Sequence, residues 1–295
     1  MKEGIILKAL SGFYYVEDQE EKQLYSCRSR GLFRKQKITP LVGDRVRFTV
    51  EPDMSGYVME VLERKNELVR PPIANVDSAL VVFSVKEPDF NVKLLDRFLT
   101  VIEHNAIEPI IILTKSDLLT ETEFKAVDEV VEYYRQIGYK TVYTSAKEAL
   151  GLTEVQEMIA GQTVVICGQS GVGKSSLLNA MDITLNLQVN EISKALGRGK
   201  HTTRHVELHQ LNDALLADTP GFSSLDLDQL DPGDLSYAFI EFHERSQQCK
   251  FRGCIHDAEP KCAVKEAVES KEFLETRYEN YQTFLTEIRS RKPKY

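Results

Sequence analysis

A chain of 295 residues is too long for one small hydrophobic core and predicts two or three domains. Apolar residues make up 42% of it and charged residues 28%, as in globular proteins, and no apolar run approaches the roughly 18 residues of a membrane span. The net charge of -8 excludes a uniformly basic coat for nucleic acid. The N-terminus lacks the pattern of a secretory signal, and five cysteines without such a signal favour reduced thiols. We therefore expect a cytoplasmic protein that does not contact a membrane.

The first segment, residues 1–70, contains short stretches rich in β-branched and aromatic residues, most of them separated by Gly, Pro, Asn or Asp. These stretches predict strands at 4–10, 12–16, 23–28, 44–50 and 56–61. About five strands in so short a segment predict a small closed barrel of the oligonucleotide-binding (OB) type. Pro71 and Pro72 follow, and because proline disrupts both helices and strand pairing, we predict a domain boundary there.

Basic side chains are concentrated in this first segment, although the whole chain is acidic. The best candidates for contacts with RNA phosphates are Arg28, Arg30, Arg34, Lys35 and Lys37. Aromatic residues of the barrel could stack on bases, but we expect most of them to fill its core. A basic barrel beside an acidic middle segment suits a protein that presents one face to RNA.

The second segment, residues 71–223, alternates strands with helices. Strands are predicted at 79–84, 109–114, 141–144, 163–168, 206–211 and 214–217, and helices at 94–102, 123–137, 152–159 and 175–181. Continuous apolar runs such as 79–84 are typical of strands covered on both faces. The alternation predicts an α/β domain with a mainly parallel sheet.

A phosphate-binding loop lies in this segment, with the sequence Gly168-Gln-Ser-Gly-Val-Gly-Lys-Ser175. Its glycines let backbone N–H groups surround phosphate oxygens, and the following helix directs its positive N-terminus at them. We expect Lys174 to reach the β- and γ-phosphates and the Ser175 hydroxyl to bind Mg²⁺. A chance Gly-rich turn is the alternative, but the predicted strand before the motif and the predicted helix after it favour a nucleoside triphosphate site.

Two turns earlier in the chain favour guanine as the base. Asp117, in Thr114-Lys-Ser-Asp117, can accept hydrogen bonds from N1 and N2 of guanine, which adenine cannot supply, while Lys115 packs along the base. Ser145 and Ala146 follow the next strand and resemble the loop that meets guanine O6 through a backbone amide. Either turn alone is compatible with an ordinary βα connection. Together they predict GTP rather than ATP, since nucleotide sites gather at the carboxyl ends of strands.

The order of these motifs is unusual, because the guanine motifs precede the phosphate loop and in ordinary GTPases they follow it. The sequence therefore predicts a circularly permuted GTPase domain. Permutation is physically acceptable because the termini of a domain often lie close together on its surface.

Two further segments contain candidates for catalysis. Asp218, at the end of a predicted strand, can hold Mg²⁺ through water, and the backbone N–H of Gly221 can sense the γ-phosphate. Residues 196–205 are polar and Gly-rich, as expected of a switch segment in which Thr203, or less favourably Thr202, closes on Mg²⁺. A solvated basic loop is the alternative interpretation of this segment.

One expected catalytic group is missing. Many GTPases place Gln directly after Asp-x-x-Gly to orient the attacking water, but Phe222 stands there in this chain. An apolar side chain cannot orient water, so we expect slow intrinsic turnover. A partner must then supply the missing function, unless His201 or His205 does so. For either histidine, exposure to solvent or contact with RNA is the alternative.

The third segment, residues 224–295, is predicted to be mostly helical around a stretch dense in Cys and His. The spacing is Cys249-x4-Cys254-x-His256-x5-Cys262. Three thiolates and one imidazole make a closed tetrahedral Zn²⁺ site, which implies one structural zinc ion. Chance clustering of free thiols is the alternative. Nearby cations suit docking to phosphates; they are Lys250, Arg252 and Lys261.

Together, these motifs resemble the ribosome small-subunit-dependent GTPase A family over essentially the whole chain, and Gly197-Arg-Gly-Lys-His-Thr-Thr-Arg204 adds to the likeness. The resemblance implies a bacterial GTPase that binds the small ribosomal subunit and its rRNA late in assembly and is stimulated by it. It also implies the nucleotide-binding set Thr114, Lys115, Ser116, Asp117, Gly168, Gln169, Ser170, Gly171, Val172, Gly173, Lys174, Ser175 and Ser176. Thr114 stands where many GTPases have Asn, a variation that leaves the guanine contact by Asp117 intact.

Three functions are compatible with these motifs. The first is a subunit-activated GTPase that hydrolyses GTP to GDP and phosphate. The second is an RNA-binding assembly scaffold in which GTP gates binding and hydrolysis is incidental. The third is a P-loop kinase for a small molecule, which the guanine motifs disfavour. In each case we expect a monomer.

Overall fold

The computed structural model of the chain describes residues 1–31, 33, 37–69, 71–182, 206–217 and 225–291. Its first five strands are β1 (Lys2–Leu10), β2 (Phe13–Asp18), β3 (Leu24–Ser29), β4 (Arg45–Val50) and β5 (Ser55–Val61), and they close into a barrel in the order β1-β2-β3-β5-β4. β3 and β5 are parallel, and the other neighbouring pairs are antiparallel. Alternate residues such as Val16, Cys27 and Phe48 point inward and are fully buried. The predicted barrel is confirmed.

The aromatic residues of the barrel are divided between its core and its surface. Tyr25, Phe33 and Phe48 are buried, whereas Tyr57 is 45% exposed. Phe13 is partly buried and lies under the Arg28 guanidinium, which is 4.7 Å from the ring centroid. The barrel therefore keeps aromatic surface beside its exposed cations.

The chain leaves the barrel through a short hairpin, β6 (Glu67–Val69) with β7 (Pro72–Ala74). The expectation that the two prolines stop strand pairing was wrong, because Pro72 pairs with Val69. Pro72 is the first residue of its strand, where one missing ladder hydrogen bond is tolerated. The hairpin also contacts the barrel, since the Ala74 N–H donates to the Val42 carbonyl at 2.9 Å.

A six-stranded sheet follows, in the order β10-β9-β8-β11-β13-β12. Its strands are β8 (Ser78–Ser84), β9 (Glu108–Thr114), β10 (Lys140–Tyr143), β11 (Thr163–Cys167), β12 (Leu208–Leu211) and β13 (Ala214–Ala217). All neighbours are parallel except β12, which runs antiparallel to β13. β12 begins later than predicted because Glu207 forms a bridge with Lys8 of the barrel instead.

Helices cover both faces of this sheet, as the apolar strands predicted. They are α1 (Val92–His104), α2 (Glu121–Gln136), α3 (Leu152–Ile159) and α4 (Lys174–Met181). Alternate residues of β8 enter different cores: Leu80 and Val82 pack with α3 and α4, whereas Val81 and Phe83 pack with α1 and α2. α2 begins earlier than predicted because Thr120 caps it in a reciprocal capping box.

The C-terminal unit is helical, as expected, with α5 (Pro232–Ala238), α6 (Ile240–Ser246), α7 (Ala263–Glu269) and α8 (Glu275–Arg289). Asp231 caps α5, and Pro232 occupies its first turn. No helix in the described ranges has the length and apolar character needed to cross a membrane.

The C-terminal unit is joined to the sheet domain by a buried ionic cluster. The Arg277 guanidinium of α8 is fully buried and donates to Asp96 of α1 at 2.5 Å and to Glu241 of α6 at 2.7 Å. The second oxygen of Asp96 accepts from Asn280 at 2.7 Å, and the Phe239 ring lies 4.3 Å from the guanidinium. Since a buried charge without its partners is costly, these residues hold the two units in one arrangement.

We expect Arg277→Ala to destabilise the C-terminal unit by about 3–5 kcal/mol, because it leaves two buried carboxylates without a cation. The measurement is the free energy of unfolding in urea, followed by circular dichroism. Arg289→Ala is the matched control on the same helix: Arg289 pairs with Asp257 at the surface, so its loss should cost less than about 1 kcal/mol. Equal destabilisation by the two variants would contradict this account.

Candidate nucleotide and zinc sites

The phosphate loop connects β11 to α4 and depends on glycine. Gly168, Gly171 and Gly173 have φ angles of 137°, 82° and 95°, which favour residues without a Cβ. At Gly168 the space is also closed, because a Cβ would lie 2.2 Å from the Val82 carbonyl oxygen. Val172 is fully buried and anchors the loop, whereas Gln169 and Ser170 are exposed. The loop thus keeps its backbone open to a ligand while its base is fixed to the sheet.

Lys174 closes the loop from inside. Its side chain is 5% exposed, and its Nζ donates to the carbonyl oxygens of Gly168 at 2.8 Å and Gln169 at 2.6 Å. Burial lowers the pKa of this ammonium. Ser175 follows at the start of α4 and is also buried. The positive charge and the helix N-terminus therefore face the same loop, which is the arrangement that binds phosphates.

Thr114 connects the end of β9 to the phosphate loop. Its hydroxyl oxygen lies 3.1 Å from the Phe83 carbonyl oxygen and 2.5 Å from that of Val172. One short side chain thus ties together β8, β9 and the loop. Many GTPases have Asn at this position, and in this chain the shorter Thr114 hydroxyl makes the polar contact with the loop.

The turn after Thr114 directs Asp117 toward the neighbouring loop. Lys115 adopts a left-handed conformation, with φ of 60°, and donates from Nζ to the Glu87 carbonyl. Ser116 donates to the Thr144 carbonyl at 3.1 Å. The Asp117 carboxylate accepts a hydrogen bond from the Ser145 hydroxyl at 2.7 Å. Ser145 therefore orients the carboxylate that was predicted to select guanine.

A cavity of about 510 Å³ joins these parts. Its lining includes Asp117, Lys115 and Ala146 from the guanine turns and Gly173 and Ser176 from the phosphate loop. A second cleft of about 550 Å³ lies near the amino ends of the parallel strands, but the phosphate loop does not line it. The structure thus brings residues that are distant in sequence to one cavity of the size that small-molecule ligands occupy.

Several predicted residues lie outside the described part of the chain. They are Thr202, Thr203, His201, His205, Asp218, Gly221 and Phe222, together with Arg34 and Lys35 of the barrel. Their roles stay predictions.

If Asp117 selects guanine, Asp117→Asn should change the preferred base. The amide offers one acceptor and one donor, which match xanthine better than guanine because xanthine has a carbonyl where guanine has its 2-amino group. We expect GDP to bind roughly 10- to 150-fold more weakly to the variant, from about 1.5–3 kcal/mol for a hydrogen bond to a charged group, and XDP to bind more tightly. Titration calorimetry with both nucleotides measures the change.

The matched control is Ser145→Ala, which removes the hydroxyl bound to Asp117 and keeps the carboxylate. It should weaken GDP and GTP binding while guanine remains preferred over xanthine. A guanine preference that survives in Asp117→Asn would place the base contact elsewhere.

The Cys/His cluster is assembled as its spacing predicted. The ligand atoms of Cys249, Cys254, His256 and Cys262 all lie within 4.8 Å of one another. The Cys249 and Cys262 sulfurs are 3.9 Å apart, and Nδ1 of His256 is 3.3 Å from the Cys262 sulfur. A tetrahedral zinc ion with bonds of about 2.0–2.3 Å needs ligand separations of roughly 3.3–3.8 Å. The donor set therefore fits zinc, and the separations above this range need to close by at most about 1 Å.

The surroundings of the cluster prepare His256 as a ligand. Its Nε2 lies 2.9 Å from the Ser236 hydroxyl, which leaves Nδ1 to face the thiols. Burial lowers the pKa of His256 to about 4, so its imidazole is neutral. Burial also raises the pKa of Cys254 to about 12, so a cation is needed there to stabilise its thiolate. Tyr278 donates to the His256 carbonyl at 2.7 Å.

No sequence pattern indicated these supporting residues. Ser236 and Tyr278 lie on helices away from the Cys/His stretch, and neither belongs to a spacing pattern that indicates a metal site. Glu259 lies within the stretch and accepts from the backbone N–H groups of Ile255 and Asp257. The position of Glu259 between the ligands His256 and Cys262 was the one feature of the sequence that could have indicated a carboxylate supporting this loop.

We expect purified protein to contain one zinc ion per chain, and Cys254→Ala to lose it together with helical circular dichroism. Cys27→Ala is the control, since Cys27 is buried in the barrel. Metal analysis after gel filtration measures the ratio of zinc to protein. Full zinc content in Cys254→Ala would show that this thiol is not a ligand.

The order of the strands and loops along the chain defines the class of protein. A phosphate loop at the carboxyl end of a parallel sheet, preceded in sequence by the turns that share its cavity, is the arrangement of a circularly permuted P-loop protein. The model of the family described as RsgA GTPase matches residues 61–228, and that of the RsgA N-terminal domain matches residues 3–58. The chain belongs to the RsgA GTPase family.

Curated relatives agree with this assignment. The "Small ribosomal subunit biogenesis GTPase RsgA" of Geobacillus sp. (strain WCH70) is 55% identical over 295 residues, with all of both chains covered. The protein of the same name from Bacillus subtilis (strain 168) is 53% identical over 298 residues, again with all of both chains covered.

Two solved structures are similar over nearly the whole chain. One is the crystal structure of YloQ, described as a circularly permuted GTPase, with a TM-score of 0.87 and 49% identity, covering 100% of this chain and 97% of that one. The other is YjeQ from Thermotoga maritima, with a TM-score of 0.87 and 38% identity, covering 99% of each chain.

Proposed function

We propose that this protein is a GTPase that binds the small ribosomal subunit and its rRNA, assists late subunit assembly, and hydrolyses GTP to GDP and phosphate with stimulation by the subunit. One observation carries the nucleotide part. Asp117, oriented by Ser145, lines the same cavity as Gly173 and Ser176 of the phosphate loop. The relative 55% identical over the full length, a small ribosomal subunit biogenesis GTPase, supports the subunit as the partner.

In this proposal each part of the site has one task. Lys174 now holds two loop carbonyls, and it exchanges them for the β- and γ-phosphate oxygens when GTP binds. The Ser175 hydroxyl and Thr203, with water held by Asp218, would hold the Mg²⁺ that accompanies GTP, and this ion would neutralise charge on the phosphates. The backbone N–H of Gly221 senses the γ-phosphate.

The remaining cofactor and partners follow from the same proposal. Cys249, Cys254, His256 and Cys262 would hold one structural Zn²⁺ ion, and four protein ligands would leave it no open position for catalysis. The protein acts as a monomer in the cytoplasm, where bacterial ribosomal subunits are assembled, without contacting a membrane.

Phe222 favours a second candidate, the GTP-gated RNA-binding scaffold in which hydrolysis is incidental. An apolar residue after Asp-x-x-Gly cannot orient the attacking water, so intrinsic turnover should be slow. The two candidates differ in the effect of the subunit: an activated GTPase accelerates on it, whereas a scaffold binds it without acceleration.

We expect phosphate release from GTP to rise about tenfold or more on addition of purified small subunits. Lys174→Ala should abolish phosphate release with and without subunits, because the positive charge that the lysine places against the phosphates is lost. Lys140→Ala, a surface lysine that pairs with Glu108 near the opposite end of the sheet, should behave as wild type.

A malachite green assay measures the released phosphate. Subunit binding without stimulation would favour the scaffold. Turnover retained in Lys174→Ala would refute the site, and a phosphorylated small-molecule product would indicate the kinase.

A further inference from the structure

A buried hydroxyl without a partner lies in the wall of the nucleotide cavity. Thr144 directly follows β10, is fully buried, and lines the cavity together with Asp117 and Ala146. Within the described chain its Oγ1 has no hydrogen-bond partner. Leaving a buried hydroxyl unpaired is costly, and native structures contain few such groups. A ligand that fills the cavity is a natural source of the missing partner.

The other groups of Thr144 are already engaged in the fold. Its N–H donates to the Leu113 carbonyl at 2.8 Å. Its carbonyl accepts from the N–H of Ser116 at 3.2 Å and from the hydroxyl of Ser116 at 3.1 Å. Its methyl carbon faces Gly151, since a Cβ built on that glycine would lie 3.2 Å from it. The backbone and the methyl group are therefore committed to the structure, and the hydroxyl is left for a ligand.

The other hydroxyls of the guanine turns are paired within the protein. Those of Thr114, Ser116 and Ser145 each lie within hydrogen-bonding distance of a carbonyl or carboxylate oxygen. Tyr139 and Arg291 hold the remaining unpaired buried side-chain atoms among the described residues, and neither lines this cavity. An unpaired hydroxyl is thus an exception both in these turns and in the described structure.

We propose that the Thr144 hydroxyl donates a hydrogen bond to O6 of the bound guanine, beside the backbone N–H of Ala146. Thr144 directly precedes Ser145, which orients Asp117, so its hydroxyl belongs to the base end of the cavity. Asp117 takes the N1 and N2 donors of guanine. O6 is the acceptor on the adjacent edge, and a carbonyl oxygen has two lone pairs for two donors. This inference rests on the proposed function, since GTP supplies the base.

A hydroxyl that is unpaired in the free protein and paired in the complex adds to affinity without stabilising the free protein. Thr144→Val keeps the shape of the side chain and removes the hydroxyl, so it should have two opposite effects. GDP should bind about 5- to 150-fold more weakly, because binding no longer pairs a buried polar group. The nucleotide-free variant should melt about 2–4 °C higher than wild type, because the unpaired group is gone. Titration calorimetry and thermal melts of the full-length, zinc-loaded protein measure both.

Thr144→Ser is the matched control, because it keeps the hydroxyl and loses the methyl group that faces Gly151. It should bind GDP like wild type. Unchanged GDP affinity in Thr144→Val would overturn the proposal, and so would an equal loss in both variants, which would assign the effect to packing. A lower melting temperature for nucleotide-free Thr144→Val would show that the hydroxyl has a partner in the free protein, and would overturn it as well.

Base analogues identify the atom that the hydroxyl contacts. IDP lacks the 2-amino group of guanine and 7-deaza-GDP lacks N7, but both keep O6. The ratio of wild-type to Thr144→Val affinity should therefore be the same for GDP, IDP and 7-deaza-GDP. A ratio near one for either analogue would overturn the assignment to O6. If the wild-type protein binds no GDP at all, the proposed function itself fails, and that result is distinct from a loss confined to the variants.

Discussion

The hydroxyl of Thr114 lies where three parts of the nucleotide site meet. It is within hydrogen-bonding distance of the Phe83 carbonyl at the end of β8 and of the Val172 carbonyl in the phosphate loop, and its own residue ends β9. The turn that follows contains Asp117, the predicted contact to guanine, so the distance between this carboxylate and the phosphate loop is set through the Thr114 side chain. The glycine at 168 is part of the same constraint, because only a residue without Cβ allows the loop to pass this close to Val82.

Permutation leaves this geometry unchanged because the sheet, and not the order of the chain, positions the site. β8, β9 and β11 are adjacent and parallel, and their carboxyl ends meet at one edge whichever strand comes first in sequence. What permutation changes is the neighbour of each motif along the chain. The barrel and its hairpin enter the sheet directly at β8, and the chain beyond β13 enters the helical unit with the Cys/His cluster.

Most of the architecture could be predicted from the sequence because it depends on local patterns: alternating strands for the barrel, apolar runs for the sheet, and fixed spacings for the loop and the cluster. Features that depend on contacts between distant segments could not be predicted in this way. The pairing of Pro72 with Val69 depends on position within a hairpin, and the contact of Ser236 with His256 joins a helix to a loop 20 residues later. Arg277 looked like any helical arginine, since burial with Asp96 and Glu241 has no local signature.

The joints on the two sides of the sheet domain differ in kind. The contact with the C-terminal helices contains Arg277, which has no solvent exposure. Separating the two units would break ion pairs between buried charges, which is costly. On the barrel side, Lys8 and Glu207 form a pair that is about one-third exposed, and water can replace each partner at little cost. The barrel is held there through the hairpin as well, where the Ala74 N–H donates to the Val42 carbonyl. The sheet domain and the C-terminal unit should therefore move as one piece when the protein meets a large partner.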